Sequence, residues 1–422
     1  MSKTTEQVRK SLKARYRAEK RFRAFGIASV LFGLLAVVVL FTDIISKGTS
    51  AFVETYIELE IDWDAAELGI DNARDPDQLA YADYDALLRN ALRREFPEVE
   101  GRLERRALNQ LVSSGAGFLL RDRLVENPDL LGRTETLWVL ADDDVDIYIK
   151  ADVDERSSKR LPDVARPWVE KLEQEGRIDI QWNRSFFSSG DSREPEQAGV
   201  WAAVMGSFFT MLITLVVSFP VGVAAAVYLE EFAPKNRFTD FIEVNINNLA
   251  AVPSIIFGLL GLAIFINLFG LPRSVPLVGG LVLALMTLPT VIISSRAAIK
   301  SVPPSIREAA LGMGASKMQV VMHHVLPLAL PGMLTGAIIG MAQALGETAP
   351  LLMIGMVAFI VDIPGGPTSP ATVLPVQIYL WADSPEASFV ALTSAAIMVL
   401  LAFLITMNTL AVLLRKRLER RW

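Results

Sequence analysis

The segment 301–331, SVPPSIREAALGMGASKMQVVMHHVLPLALP, decides how the rest of the chain is interpreted. A proline pair opens a helix in it, small residues keep that helix slim and then interrupt it, and two further prolines break the chain again. These residues are Pro303, Pro304, Ala309, Ala310, Gly312, Gly314, Pro327 and Pro331. The pattern predicts a compact knob made of a slim helix, a turn and a second short helix. The alternative is an ordinary connecting loop, but a loop of this length with its own helix is usually functional.

Outward from this knob, the chain contains six long apolar stretches that are nearly free of charge. Stretches of about 20 residues match the hydrocarbon thickness of a bilayer. Since lipid cannot satisfy backbone polar groups, each stretch must be a helix. The stretches are 24–45, 201–229, 249–269, 275–295, 332–360 and 388–414. The sequence therefore predicts an all-α polytopic membrane protein with six transmembrane helices in contact with membrane lipid.

The distribution of charge orients these helices. Residues 1–24 carry nine Lys or Arg against two Glu, whereas residues 361–387 contain no Lys or Arg. A basic start can also be an arm that binds nucleic acid or lipid, but the apolar stretch that follows at once favours a topological role. Because basic segments remain on the cytoplasmic side, both termini and the knob are expected there. No nucleic-acid partner is expected.

Residues 47–199, the insert, carry 34 acidic and 20 basic side chains and are expected to be extracytoplasmic. The first helix is too long for a signal peptide and lacks a cleavage site, so we expect it to stay as an anchor. The predicted division is a basic cytoplasmic N-terminus 1–23, a first transmembrane helix 24–46, the insert 47–199, a five-helix core 200–415 and a cytoplasmic tail 416–422.

The insert is predicted to be a small α+β unit. Apolar spacing predicts amphipathic helices over 87–92 and 103–111, and the segments 138–140 and 145–149 are typical of short strands around an acidic turn. The three adjacent carboxylates of that turn, Asp142-Asp143-Asp144, resemble part of a calcium-binding loop. A calcium loop of the EF-hand type needs Gly and Glu where this chain has Ile147 and Val153, so we expect a solvated turn.

The sequence lacks the motifs of several kinds of catalytic, metal-binding and nucleotide-binding site. There is no cysteine, hence no disulfide or thiolate metal site, and the only histidines, His323 and His324, diverge on a helix. No Gly-x-x-x-x-Gly-Lys-Ser/Thr phosphate loop occurs. No catalytic residue, metal or cofactor is predicted, and energy from ATP must enter through a partner chain that binds it.

The knob also carries a family resemblance. Glu308-Ala309-Ala310, Gly314 and Leu326-Pro327 resemble the EAA loop of ABC importer permeases, although His324 replaces the usual aliphatic residue. In that family the loop is the coupling helix that docks into a groove on a cytoplasmic ATPase. The resemblance implies that these six residues make the ATPase contact here.

Two further strings, 249–262 and 346–352, resemble phosphate permeases of the PstA type, and 228–231 is similar as well. The resemblance covers roughly residues 200–415, and the insert looks like an extra module found in some of these permeases. It implies an ATP-driven phosphate importer in a bacterial inner membrane. The implied partners are a second permease subunit, two copies of the ATPase and a periplasmic phosphate-binding protein.

Span five holds the predicted substrate contacts. Glu347 shares a helical face with Gln343 in our interpretation, and an ionisable residue in a membrane span is a functional candidate. Thr348 adds a hydroxyl beside it. Phosphate keeps protons near neutral pH, so a carboxylate can accept its hydrogen bond and disfavour sulfate. The alternative is a Glu347 that lies near the outer water interface or pairs with an Arg of the partner permease.

The cationic contact to phosphate is left open by the sequence. The related permeases often have Arg where this chain has Gln343, so the cation is expected from the paired permease or from Arg296. Small residues every four positions, Gly332, Gly336, Gly340 and Ala344, favour tight helix packing on span five.

Three other functions are compatible with parts of the sequence. The permease could carry sulfate, molybdate or another oxyanion instead of phosphate. A membrane sensor with the insert as its sensing part predicts a further domain after the last span, where only about eight residues follow. A passive channel is the third alternative, and the coupling loop argues against it.

Overall fold

A computed structural model describes residues 3–70, 75–151, 156, 160–357 and 359–418, and the side chains of residues 3–11, 13 and 418 are left out of the description. Val153, residues 1–2 and the tail beyond residue 418, which include parts of the predicted termini, lie outside the described residues. The chain begins with one long helix, α1, over Lys3–Gly48. The predicted first span lies within this helix, which is long and apolar enough to cross a bilayer, and the basic arm continues the same helix.

A three-stranded antiparallel sheet with helices packed on it follows α1. Ile57, Leu59 and Ile61 alternate along the central strand and are fully buried on its helix-covered face. The strand order is β2-β1-β3. The elements are β1 Val53–Asp62, α2 Ala65–Leu68, α3 Pro76–Tyr81, α4 Tyr84–Glu95, α5 Arg102–Asn109, α6 Ala116–Glu126, β2 Thr134–Leu140, α7 Asp143–Lys150, α8 Arg166–Gln174, β3 Ile178–Trp182 and α9 Arg184–Ser188.

The small α+β character of this region is confirmed, but one predicted strand is wrong. The segment 145–149 belongs to helix α7, because Asp142 accepts a hydrogen bond from the amide of Asp144 and caps the helix. Val145, Tyr148 and Ile149 are buried at helical spacing rather than alternately. The acidic run is therefore a capped first turn that is half-buried, and the expected solvated turn is wrong.

The remaining helices form the membrane part. Five helices of the described chain are long and apolar enough to cross a bilayer, and a sixth span results if α11 and α12, bent by 103° relative to each other, count as one. The elements are α10 Trp201–Val227, α11 Arg237–Leu249, α12 Ser254–Gly261, α13 Pro276–Ser301, α14 Pro304–Gly312, α15 Lys317–Val320, α16 Leu326–Leu345, α17 Ala349–Met353, α18 Leu374–Ala382 and α19 Ser388–Leu418.

Span five starts and ends earlier than predicted. The helix runs from Lys317 through a π-helical turn, Val321–Val325, to Leu345, and α17 is a separate short helix. Pro327 and Pro331 therefore do not break the chain. A π-turn widens the helix just before Pro327 and makes room for its ring, so the helix continues.

The glycine stripe packs α16 tightly against α13. A methyl group on Gly332 would lie 2.7 Å from the Cβ of Ala298, and one on Gly336 would lie 1.7 Å from the Oγ of Ser294. The predicted tight packing is confirmed, since no larger residue fits at Gly336 without moving a backbone. The same antiparallel register brings Gly340 next to Thr287.

Candidate functional site

The knob has the helix–turn–helix geometry that its prolines and glycines predict. Helix α14 ends at Gly312, and Gly314 has a φ of +86°, a conformation that other residues adopt only with strain. Ser316 then starts α15 through a capping box with Gln319. This local chemistry fixes the angle between the two short helices.

The predicted coupling residues divide between the surface and the core of the knob. Glu308, Ala309 and Gly314 are exposed, whereas Ala310 is buried against the apolar cluster that includes Val320. Leu326 and Pro327 are half-buried at the start of α16. The outer surface is unusually apolar, with Met313 79% exposed and Leu311, Met318 and Met322 each at least half exposed. An exposed apolar patch of this kind is typical of a contact with another protein or with lipid.

A network of charged residues lies beside the knob. The Nε of Arg296 on α13 is 2.5 Å from a carboxylate oxygen of Glu230, and its Nη2 is 2.6 Å from one of Glu243 on α11. Lys300 is 3.3 Å from the same Glu230 oxygen. Arg296 and Glu230 are each only 12% exposed. Arg296 is thus neutralised by two carboxylates of its own chain, which argues against the role as a phosphate cation considered for it from the sequence.

The neighbouring carboxylate holds the knob itself. Glu231 is 2.9 Å from Arg307, the residue before Glu308. Arg307 also donates hydrogen bonds to the backbone carbonyls of Ile299 and Val302, at the end of α13. The Ile299 carbonyl also accepts from the amide of Val302, the C-cap residue of α13, so Arg307 adds a side-chain donor at this helix end while it pairs with Glu231.

The structure places Glu347 in a helix break. The last residue of α16 is Leu345 and α17 starts at Ala349, so the interpretation that Glu347 and Gln343 share a helical face is wrong. The reason is that Pro350 can stand only in the first turn of a new helix there. Glu347 and Thr348 are half-buried, and Gln343 is exposed. The Glu347 carboxylate makes no hydrogen bond or ion pair with any residue that the structure describes.

The break lies against α12. A methyl group on Gly258 would lie 2.7 Å from the Cα of Pro350, so backbone touches backbone at this point. Gly261, one turn later, approaches Val282 of α13 as closely. Two interrupted helices therefore meet at Pro350, three residues after Glu347, and a helix break beside a carboxylate is a setting in which membrane proteins bind polar solutes.

A second carboxylate cluster lies where the insert meets the ends of α1 and α19. It borders a cavity of about 710 Å³ that is lined by Glu54, Asp146, Lys150 and Glu196 among others. Burial, reinforced by Asp146, raises the pKa of Glu54 to about 8, and burial raises the pKa of Glu196 to about 7. Each has one oxygen without a hydrogen-bond partner among the described residues.

Sequence reasoning missed the charged network and helix α11. The signal was available in part, since Glu230-Glu231 follows an apolar span on the same predicted side as Arg296 and Arg307. Which base pairs with which acid depends on how α10, α11 and α13 pack, and spacing along the chain carries no such information.

The chain is similar to known membrane transport proteins. A family model described as "Binding-protein-dependent transport system inner membrane component" matches residues 218–422, and a domain of unknown function, DUF3333, matches residues 9–159. The chain is 31% identical over 230 residues to the phosphate transport system permease protein PstA 1 of Mycobacterium tuberculosis (strain CDC 1551 / Oshkosh), which covers 54% of this chain and 74% of that protein.

Two other similarities extend the comparison. The probable ABC transporter permease protein YqgI of Bacillus subtilis (strain 168) is 35% identical over 172 residues, 41% of this chain and 58% of that protein, so less than two thirds of its length is matched. Among solved structures, an inward-facing MetNI methionine ABC transporter aligns with 52% of this chain and 98% of its own, at 20% identity and a TM-score of 0.41.

Proposed function

This chain belongs to the binding-protein-dependent ABC permease family, in its PstA-type phosphate branch, and from that premise we propose that it carries inorganic phosphate across a bacterial inner membrane at the expense of ATP hydrolysed by a separate subunit. The observation that carries the proposal is the 31% identity to a phosphate permease over 74% of its length. The exposed apolar surface of the knob supports it, because an ATPase groove needs such a surface to dock.

The proposed complex contains four kinds of chain. A second, similar permease completes the pathway, two ATPase copies bind ATP, and a periplasmic phosphate-binding protein delivers the substrate. This chain contributes no ATPase site and performs no covalent chemistry. The basic ends of α1 and α19 are assigned to the cytoplasmic side together with the knob, and the acidic insert 47–199 to the opposite side.

Glu347 is proposed to contact the substrate. A carboxylate in a break between helices can accept a hydrogen bond from a protonated phosphate oxygen, and Thr348 can donate or accept another. Fully ionised sulfate offers no proton and is repelled. The cation that offsets the charge of phosphate is assigned to the partner permease, because Arg296 already forms ion pairs with two carboxylates of its own chain.

Co-purification followed by an ATPase assay tests this proposal. A tagged form of this chain is expected to bring down a second permease and the ATPase, and the complex should hydrolyse ATP faster when phosphate-loaded binding protein is added. Binding protein without phosphate is the control. Stimulation by a sulfate- or molybdate-loaded protein in place of the phosphate-loaded one contradicts the assignment of substrate.

A further inference from the structure

We infer that Arg296 is a positioning residue that transmits movement of the knob to the break at Glu347. This inference rests on the proposed function, since it assumes that an ATPase pushes on the knob. It gives Arg296, Glu230, Glu231 and Glu243 a role in coupling ATP hydrolysis to transport. Three structural links carry it.

The first link joins the knob to the ends of two membrane helices. Arg307 stands on α14 and pairs with Glu231, in the π-helical turn that ends the α10 span. It also donates to two carbonyls at the end of α13, with N–O distances of 2.6 Å to Val302, the C-cap residue, and 2.9 Å to Ile299 in the last turn. Any displacement of α14 therefore pulls on both helices at once.

The second link passes this displacement to α11. Glu230, the residue before Glu231, forms an ion pair with Arg296 of α13. The same guanidinium forms a second ion pair with Glu243 of α11. One guanidinium thus joins three elements. Removing one partner of a shielded ion pair leaves an uncompensated charge, so the three elements are held together as a unit.

The third link leads from α11 to Glu347. Helix α11 meets the following helix at a 103° bend, and Val252 and Pro253 lie in this corner. Beyond the corner, Gly258 of α12 touches the backbone of Pro350, three residues after Glu347. If α11 and α12 move as one rigid unit about this bend, a displacement of α11 along the cytoplasmic surface displaces α12 at the break.

The proposed path therefore runs from α14 to α10 and α13, then to α11, and then through α12 to Glu347. Spatial continuity alone does not establish coupling, so the experiment must measure coupling itself. The quantity that isolates it is the number of phosphate ions accumulated per ATP hydrolysed, in vesicles containing the complete complex with its partner permease, ATPase and binding protein. A residue that only stabilises the fold lowers both rates together and leaves this ratio unchanged.

The decisive variant is Glu243→Gln, which removes the charge that holds Arg296 to α11 and keeps the ion pair with Glu230. The ratio is expected to fall about five-fold or more, the effect of a lost coupling of 1–3 kcal/mol, while stimulated ATP hydrolysis continues. Asp240→Asn is the matched control, because Asp240 is an exposed acid on the same helix. Its ratio should equal that of the wild type.

A double variant tests whether Arg296 is the link. In an Arg296→Met background the Glu243→Gln change is expected to have no further effect on the ratio, since the partner of Glu243 is already gone. An unchanged ratio in Glu243→Gln, or full additivity of the two changes, overturns the inference. If wild-type vesicles accumulate another oxyanion and no phosphate, the proposed substrate fails and the ratio is measured with that oxyanion. A wild-type complex that accumulates neither overturns both.

Discussion

Two properties of this protein are proposed to depend on single residues, the choice of anion and the pH range over which the insert is stable. Both depend on carboxylates that lack a full set of partners. The Glu347 carboxylate has none among the described residues, and Glu54 and Glu196 each have one buried oxygen without a hydrogen bond. A buried oxygen of this kind binds water or an ion, or holds a proton, whereas the half-buried Glu347 remains accessible to a solute.

Glu347→Gln is expected to lower phosphate uptake while the complex still purifies. The change keeps the shape and removes the charge, and one charge-assisted hydrogen bond is worth roughly 1.5–3 kcal/mol, or on the order of 10- to 100-fold. Asp383→Asn, an exposed acid in the 361–387 segment, is the control. Loss of the partner permease in the Glu347 variant indicates an assembly role, and unchanged uptake with unchanged selectivity refutes the pathway role.

Glu54 makes the insert less stable at alkaline pH. Its pKa is raised from 4.5 to about 8, so between these values the folded chain holds a proton that the unfolded chain has released. The contribution of Glu54 to stability is therefore complete below pH 4.5 and is lost as the pH rises through about 8. Thermal unfolding of the full chain in detergent should show a Tm that falls between pH 6 and pH 8.5.

The variant Glu54→Gln checks this assignment. It cannot ionise, so the fall in Tm over the same pH range should be smaller than in the wild type. Glu58→Gln, which changes an acid four residues along the same strand, should leave the wild-type fall unchanged. An identical pH dependence of Tm in Glu54→Gln and wild type contradicts the raised pKa.

At the scale of helices and strands, some features follow from the local sequence and others depend on tertiary packing. Apolar length, prolines and glycines act locally, within one turn or one bilayer thickness, so they predict five of the spans and the knob, whereas the third span is part of a helix pair bent by 103°. The composition of segment 145–149 favours a strand, but Val145, Tyr148 and Ile149 are buried at helical spacing because the segment belongs to α7. The position of Glu347 in a break, and the pairing of Arg296 with Glu230 and Glu243, depend on packing between helices that no local pattern encodes.

A charge on the surface of the knob should uncouple this element from its partner. Ala309 is exposed on α14 next to the apolar patch, and Ala309→Asp places an unpaired carboxylate in the proposed docking surface. The variant should insert in the membrane normally, bind less ATPase on co-purification and transport more slowly. Gly365→Asp, in an open loop with space for a side chain, is the control. Normal uptake by Ala309→Asp contradicts docking at this surface.

The whole molecule is a helical membrane body with an acidic insert at the end of α1. The insert has its own apolar core, built around Ile57, Leu59 and Trp63. Its net charge contrasts with the basic helix ends, and this contrast carries the proposed orientation. In the proposed orientation the insert faces the compartment from which the proposed substrate arrives.

Protease accessibility tests the orientation. Protease added to right-side-out vesicles should cut within 47–199 and leave the knob intact, whereas inverted vesicles should show the reverse. The two preparations control each other, since both contain the same protein in the same lipid. Cleavage of the insert only in inverted vesicles reverses the proposed topology.

The central claim is that this chain is the permease of an ATP-driven phosphate importer. The measurement that tests it most directly is accumulation of labelled phosphate inside proteoliposomes that contain the complete complex, with ATP on the side of the knob. The account predicts uptake that requires ATP and binding protein and that excess unlabelled phosphate abolishes, while equal sulfate or molybdate leaves it nearly unchanged. Uptake without ATP, or uptake suppressed by sulfate or molybdate as strongly as by phosphate, contradicts it.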